Sequence, residues 1–167
     1  MAGERLDFRR LNKILSMLKD RIDSDFPKES EVSQQWTYMH LFSCSQLIKV
    51  PALEKGLSME LASITAALHD YGLLCTGIRD HHAETGAGLL DDFLDRYNDL
   101  YGGRRGIVTK DERDIIIHAV RYHSEKNVYT EDLYLELLKD MDSLDRYLHG
   151  VPTEGDYLAR AMRYIRG

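Results

Sequence analysis

Cysteine is scarce in this chain: Cys44 and Cys75 are the two in 167 residues, far apart and in no CxxC pattern. That argues against a disulfide framework and fits a reducing cytoplasm. Long apolar runs are also missing, and none approaches the ~20 residues a membrane span needs. The opening Met1-Ala2-Gly3-Glu4-Arg5 leads straight into mixed, charged sequence, which reads as no signal peptide. Positive charge is in deficit, with 22 Lys and Arg against 28 Asp and Glu and a net charge of -6. Nothing there supplies long-range attraction to a nucleic acid backbone or an anionic membrane, so neither is expected as a partner. The short zinc patterns HExxH and paired CxxC are absent, as are repeats, low-complexity tracts and linkers.

Sustained period-two alternation between turn signals is missing as well, which excludes a sheet-built domain. Hydrophobic residues make up 43% and charged residues 30%, the balance of a globular chain that builds its own core. Residues 1–167 are therefore expected to form one all-α domain, a bundle of roughly seven helices. Leu11, Ile14, Leu15, Leu18 and Ile22 predict a helix over 4–22, and 23–31, with Pro27, predicts a loop. A second stretch runs from Ser33 to Lys55, kinked or broken at Pro51 and stopped at Gly56. Ser58 is the expected N-cap of a helix ending near His69-Asp70, and Gly72 and Gly77 bracket a short connection. A helix from His82 carries Ala83, Ala87, Leu90, Leu94, Tyr97 and Tyr101 on one face, before a loop over 102–106. Thr109-Lys-Asp-Glu112 has the capping-box pattern and opens a helix to His123. Residues 124–130 read as a loop, 131–149 as a helix, and Tyr157 to Ile165 as a last short one.

Seven histidines stand at 40, 69, 81, 82, 118, 123 and 149, and His69, His82 and His123 fall at helix ends. Neutral imidazoles and carboxylates converging from several helices suit a divalent first-row cation with a position left open for water. The segment Ala66-Ala67-Leu68-His69-Asp70-Tyr71-Gly72 resembles the core of the HD superfamily of metal-dependent phosphohydrolases. His40, one helix–turn–helix length earlier, and Asp142 in Asp140-Met-Asp-Ser-Leu-Asp145 match the earlier histidine and the later aspartate of that family. His82-Ala-Glu-Thr-Gly86 and Arg121-Tyr-His123-Ser124 resemble the two extra histidine motifs of its dinuclear members. The resemblance spans about 33–148. Two features of relatives are missing: Leu73 stands where signalling members carry lysine, and there is no GYP motif, which argues against cyclic-dinucleotide phosphodiesterase activity.

The resemblance implies one or two divalent metals (Fe, Mn, Ni, Zn or Mg) on His40, His69, Asp70, His82, His123 and Asp142, with His69 and Asp70 catalytic. It further implies hydrolysis of a small phosphorylated metabolite, a nucleotide foremost, by metal-activated hydroxide. A metal- or nucleotide-sensing module with little turnover and a di-iron oxygenase are the alternatives, since fold does not fix chemistry. From the residues alone, His81 competes with His82 and His118 with His123; residues 118 and 123 point about 140° apart on a helix, so both do not reach one centre. Arg79, Arg121 and Lys126, near motif ends, are candidates for holding phosphate oxygens. Asp145, one turn after Asp142, is a candidate for orienting a ligand or Arg121.

Overall fold

The computed structural model describes residues 6–165. Its elements are α1 (Arg9–Asp25), α2 (Gln34–Leu47), α3 (Lys49–Glu54), α4 (Met59–Leu68), α5 (Tyr71–Thr76), α6 (His82–Tyr97), a π-helical turn (Asn98–Gly102), α7 (Gly103–Arg105), α8 (Lys110–Tyr122), α9 (Leu133–Leu148) and α10 (Gly155–Ile165). No strand occurs among the described residues. The helices α1, α2, α4, α6, α8, α9 and α10 each run ten residues or more, and these are the long helices the periodicity predicts. None of the described helices is long and apolar enough to cross a membrane.

The caps explain several boundaries. The Ser33 and Ser58 side chains accept from the backbone N–H of Trp36 and Leu61, and Thr109 and Glu112 form the full capping box. Asp132 caps α9 by accepting from Tyr134 and Leu135. Residues 4 and 5 of the predicted first helix lie outside the described residues, and the helix runs on past Ile22 to Asp25. The predicted break at Pro51 falls earlier, at Ile48, and Pro51 sits in the first turn of α3. A proline there removes an N–H that has no intrahelical partner, so it starts α3 without interrupting it. Helical turns also continue through Asn98–Arg105, where a loop over 102–106 is predicted.

Helix α4 is the axis of the bundle. Every residue from Leu61 to Leu68 is buried, as expected of a helix surrounded on all sides. On one flank Ile64 and Leu68 join Leu11, Ile14, Leu18, Leu90, Leu94 and Val120 from α1, α6 and α8. On the other, Ala62 and Ala66 meet Cys44, Leu138, Met141 and Ala161 from α2, α9 and α10, and Ile48 at the joint between α2 and α3. The small alanines on that flank let α2 and α9 approach, which is how His40 and Asp142 come near the end of α4.

The predicted connection between Gly72 and Gly77 is instead helical, and this correction matters for the site. Gly77 does end α5, with φ +75. Gly72 has a different task. A Cβ there would stand 2.1 Å from the His82 carbonyl oxygen and 2.5 Å from the Gly86 nitrogen. A Cβ on Gly86 would reciprocally meet the Gly72 nitrogen at 2.8 Å. Backbones of α5 and α6 therefore touch at two glycines, and that contact sets His82 beside Asp70.

Candidate metal centre

His69 and Asp70 occupy the joint between α4 and α5. His40 arrives from the middle of α2, His82 from the first residue of α6, His123 from the C-cap of α8 and Asp142 from the middle of α9. Helix ends free backbone carbonyls, and the histidines use them. His69 Nδ1 donates to the Ala66 carbonyl, His123 Nδ1 to that of Val120 and His82 Nδ1 to that of Arg79, each at 2.7 Å. His40 Nδ1 donates to Asp145 Oδ2 at 2.6 Å. With all four Nδ1–H groups so assigned, each Nε2 presents a lone pair to the interior.

Those Nε2 atoms meet in two pairs. His40 and His69 approach to 3.1 Å, and His82 and His123 to 3.2 Å. Asp142 Oδ1 completes the first pair, 3.1 Å from His40 and 3.8 Å from His69. Asp70 stands astride both. Its Oδ2 lies 3.7 Å from His40 and 3.5 Å from His69, and its Oδ1 lies 3.2 Å from His82 and 3.5 Å from His123. Two lone pairs facing each other repel unless a cation lies between them. The imidazole-and-carboxylate donor set fits a divalent first-row ion on each side of Asp70. Donor trios close enough to share an ion are His69, Asp70 and His123, and also His40, Cys44 and His69. Cys44 Sγ, however, lies 3.7 Å from His40 Nδ1, on the ring edge turned away from the cluster. Burial pushes its thiol up to about 12, so it packs there uncharged.

Electrostatics agree with that donor set. Burial alone would raise both carboxylates, but His69, His123 and His82 around Asp70, and Lys126 and His40 around Asp142, hold each well below the carboxylate range. Burial lowers His69 to about 4, against the pull of Asp70 and Asp142, which keeps it neutral. In His40 burial also opposes charge, yet the carboxylates of Asp142 and Asp145 outweigh it and raise the imidazole. In His82 the Asp70 carboxylate likewise overcomes burial. A proton and a metal compete for those Nε2 positions, so metal loading releases protons.

The competing histidines part company. His81 adopts a left-handed backbone (φ 53) and is exposed beside Asp80 and Glu84. His118 is half exposed beside Asp132. His149 donates to the Asp145 carbonyl at 2.9 Å, and its ring meets the edge of Trp36. Trp36 in turn stacks on His40 at 4.9 Å and 16°, fixing the plane of that ring.

The expected phosphate contacts need correction. Lys126 is buried, and its ammonium is taken up by Asp142 Oδ2 at 2.5 Å, where it orients the carboxylate and offsets its charge. Arg121 is exposed; it precedes His123 by two positions, about 200° around the helix, and so faces away. Arg79 is exposed too, and the atom it gives the cluster is its carbonyl oxygen, on His82. Asp145 accepts from His40 Nδ1 on Oδ2 and from the Ser43 hydroxyl on Oδ1.

Sequence reasoning missed Arg160. It is fully buried on α10 and donates Nε to the Lys126 carbonyl (2.7 Å), Nη2 to the Val128 carbonyl (2.9 Å) and Nη1 to Glu136 (2.9 Å) and Asp140 (2.8 Å). The guanidinium thus ties the 124–130 loop to α9 and steadies Lys126 against Asp142. The available signal was slight: an arginine at helical spacing from Tyr157 and Tyr164.

No curated protein and no solved structure matches the chain. A family model described as HD domain matches residues 37–147, more than half of the 167. His40, His69, Asp70, His82, His123 and Asp142 all fall within it. The chain belongs to the HD-domain family, whose members are generally metal-dependent phosphohydrolases.

Proposed function

We propose that the chain hydrolyses a phosphate ester or anhydride in a nucleotide or another small phosphorylated metabolite, using two divalent ions. His40, His69 and Asp142 would hold one ion and His82 and His123 the other, with Asp70, which stands between the two pairs, available to both. One observation carries this reading: four Nδ1–H groups are fastened outward, leaving four Nε2 lone pairs turned inward around a single straddling carboxylate. Mixed imidazole and carboxylate donors favour Fe, Mn, Ni or Zn over Mg, which prefers oxygen. Such ions, when bound, acidify a water and neutralise phosphoryl oxygens.

The remaining work is done by the chain itself. Lys126 keeps Asp142 ionised and turned so that Oδ1 faces the histidines. Asp145 and Trp36 fix the tautomer and the plane of His40. Among the donors, His40, His69 and His123 are closed off, while side chains of His82 and Asp70 are 20% and 14% exposed. A substrate therefore approaches over His82 and Asp70. Small substrates fit the overall charge of -6, which repels polyanions unless the contact is local.

The test is metal content and turnover together. Protein purified without chelator is expected to carry about two first-row ions per chain and to release phosphate from some member of a panel of nucleotides and phosphate esters. One ion with turnover would keep the reaction and remove His82 and His123 from the metal set. Metal without turnover on any ester would favour a sensor or an oxygenase, the latter recognised by oxygen consumption. Absence of metal would refute the proposal.

Asp145→Asn probes the support around the centre. The amide no longer holds the His40 tautomer by charge, so metal affinity is expected to fall about 10–100-fold. Competition with a chelator measures it. Unchanged affinity would show that Asp145 plays no part in presenting His40.

A further inference from the structure

Helix α10 lies beyond the residues matched by the family model, yet it brings Tyr157 to the edge of the cluster. Neither apolar core contains Tyr157, whereas Tyr164 of the same helix packs on the second. Cations flank the Tyr157 ring instead: Lys126 Nζ lies 5.1 Å from its centroid and the Arg146 guanidinium carbon 5.4 Å. Lys126 is the lysine on Asp142. Arg146 follows Asp142 by four positions on α9 and so lies on the same helix face. Among the described residues Arg146 has no carboxylate within ion-pair distance, and the Tyr157 hydroxyl, which is not closed off from solvent, has no hydrogen-bond partner. Through Lys126, which touches both, the ring stands next to Asp142. A half-buried guanidinium and a hydroxyl donor, both unpaired, thus stand at the edge of the cluster.

We propose that Tyr157 and Arg146 form a phosphate grip, donating hydrogen bonds to the non-reacting oxygens of a phosphoryl group held at the cluster. The proposal rests on the phosphohydrolase reading for its ligand and adds Tyr157, which lies outside the residues matched by the family model, and Arg146, near the end of the match. The cations stacked on the ring fix its position relative to Lys126 and Arg146. Burial lifts the phenol to about 12, so the hydroxyl stays a donor throughout the neutral range. Arg79, exposed on the same side, is placed to add long-range attraction for an incoming anion.

Inorganic phosphate is the probe. Its binding to metal-loaded wild type, Tyr157→Phe and Arg146→Gln is measured by calorimetry, beside metal content, melting temperature, KM and kcat. Tyr157→Phe keeps the ring and its stacked cations and removes only the donor. It is expected to bind phosphate about tenfold more weakly, and to raise KM as much, with metal content and melting temperature unchanged. Arg146→Gln should lose at least as much. If the wild type hydrolyses phosphate esters while both variants keep its KM and its phosphate affinity, the grip is refuted and the hydrolase reading stands. If the wild type turns over no ester but binds phosphate through these two side chains, the grip stands and the hydrolase reading falls. A wild type that neither binds phosphate nor hydrolyses an ester refutes both.

Discussion

Asp70→Ala is expected to strip the centre of both ions and to reduce phosphate release by more than about 10³-fold, a barrier increase of roughly 4 kcal/mol or more. Each side of the cluster otherwise has two imidazoles, and one side also has Asp142. Among the described residues Asp70 alone is in reach of all four Nε2 atoms, at 3.2 to 3.7 Å. Its loss therefore damages both sides at once. Asp70→Asn separates the two contributions. An amide offers one oxygen and one NH2, so it can serve one side while pointing a donor at the other. About one ion per chain should remain, with hydrolysis still lost. Elemental analysis and phosphate release decide the matter, and an alanine variant that keeps both ions and its turnover would contradict the bridging role.

Arg160→Ala is expected to cost about 3–5 kcal/mol of stability, because removing one partner leaves buried charge uncompensated. Asp140 and Glu136 would lose their shared guanidinium, and the Lys126 and Val128 carbonyls would lose a donor. For a chain of this size that loss lowers the melting temperature by roughly 6–20 °C. Arg163 also reaches Asp140, at 3.0 Å, but from an exposed position that compensates little. Arg160→Lys should recover only part of the loss, since a single ammonium cannot reproduce the planar fork. Denaturant melts of the three proteins measure this directly. A loss below about 1 kcal/mol for the alanine variant would place Arg160 among ordinary surface ion pairs.

The helices were legible wherever information was local. Thr109 and Glu112 stand three positions apart, and the capping box they announce is formed. The heptad-like spacing of Leu11 to Ile22 marks a helix because one face is buried. Misreadings arose where one residue type serves two purposes. Gly72 resembles a turn residue, and only the facing Gly86 shows that it permits contact between two backbones. Lys126 resembles a surface cation near a loop, and its partner Asp142 is sixteen positions away. Arg160 finds its four partners 20 to 34 positions away, a distance at which periodicity carries no information. Arg121 is different: its helix phase relative to His123 is enough by itself to turn it outward. His40 and Asp142 were singled out through family resemblance, and the structure shows the physical link, since the alanines of α4 admit the helices that carry them.

The position of Arg160 in the chain also bears on the order of synthesis. All six cluster residues leave the ribosome before it does, and at about 5–20 residues per second they wait a second or more for their support. Until then the 124–130 loop has no guanidinium fastening it to α9, and Lys126 has no fixed place on Asp142. The same condition describes a chain nicked by a protease in the linker between α9 and α10, where Pro152 and Glu154 are exposed. Such a chain retains every histidine and aspartate of the centre and lacks the latch that holds one side of it in register. Formation of α10 is thus a condition for fixing Lys126, and through it Asp142, in place.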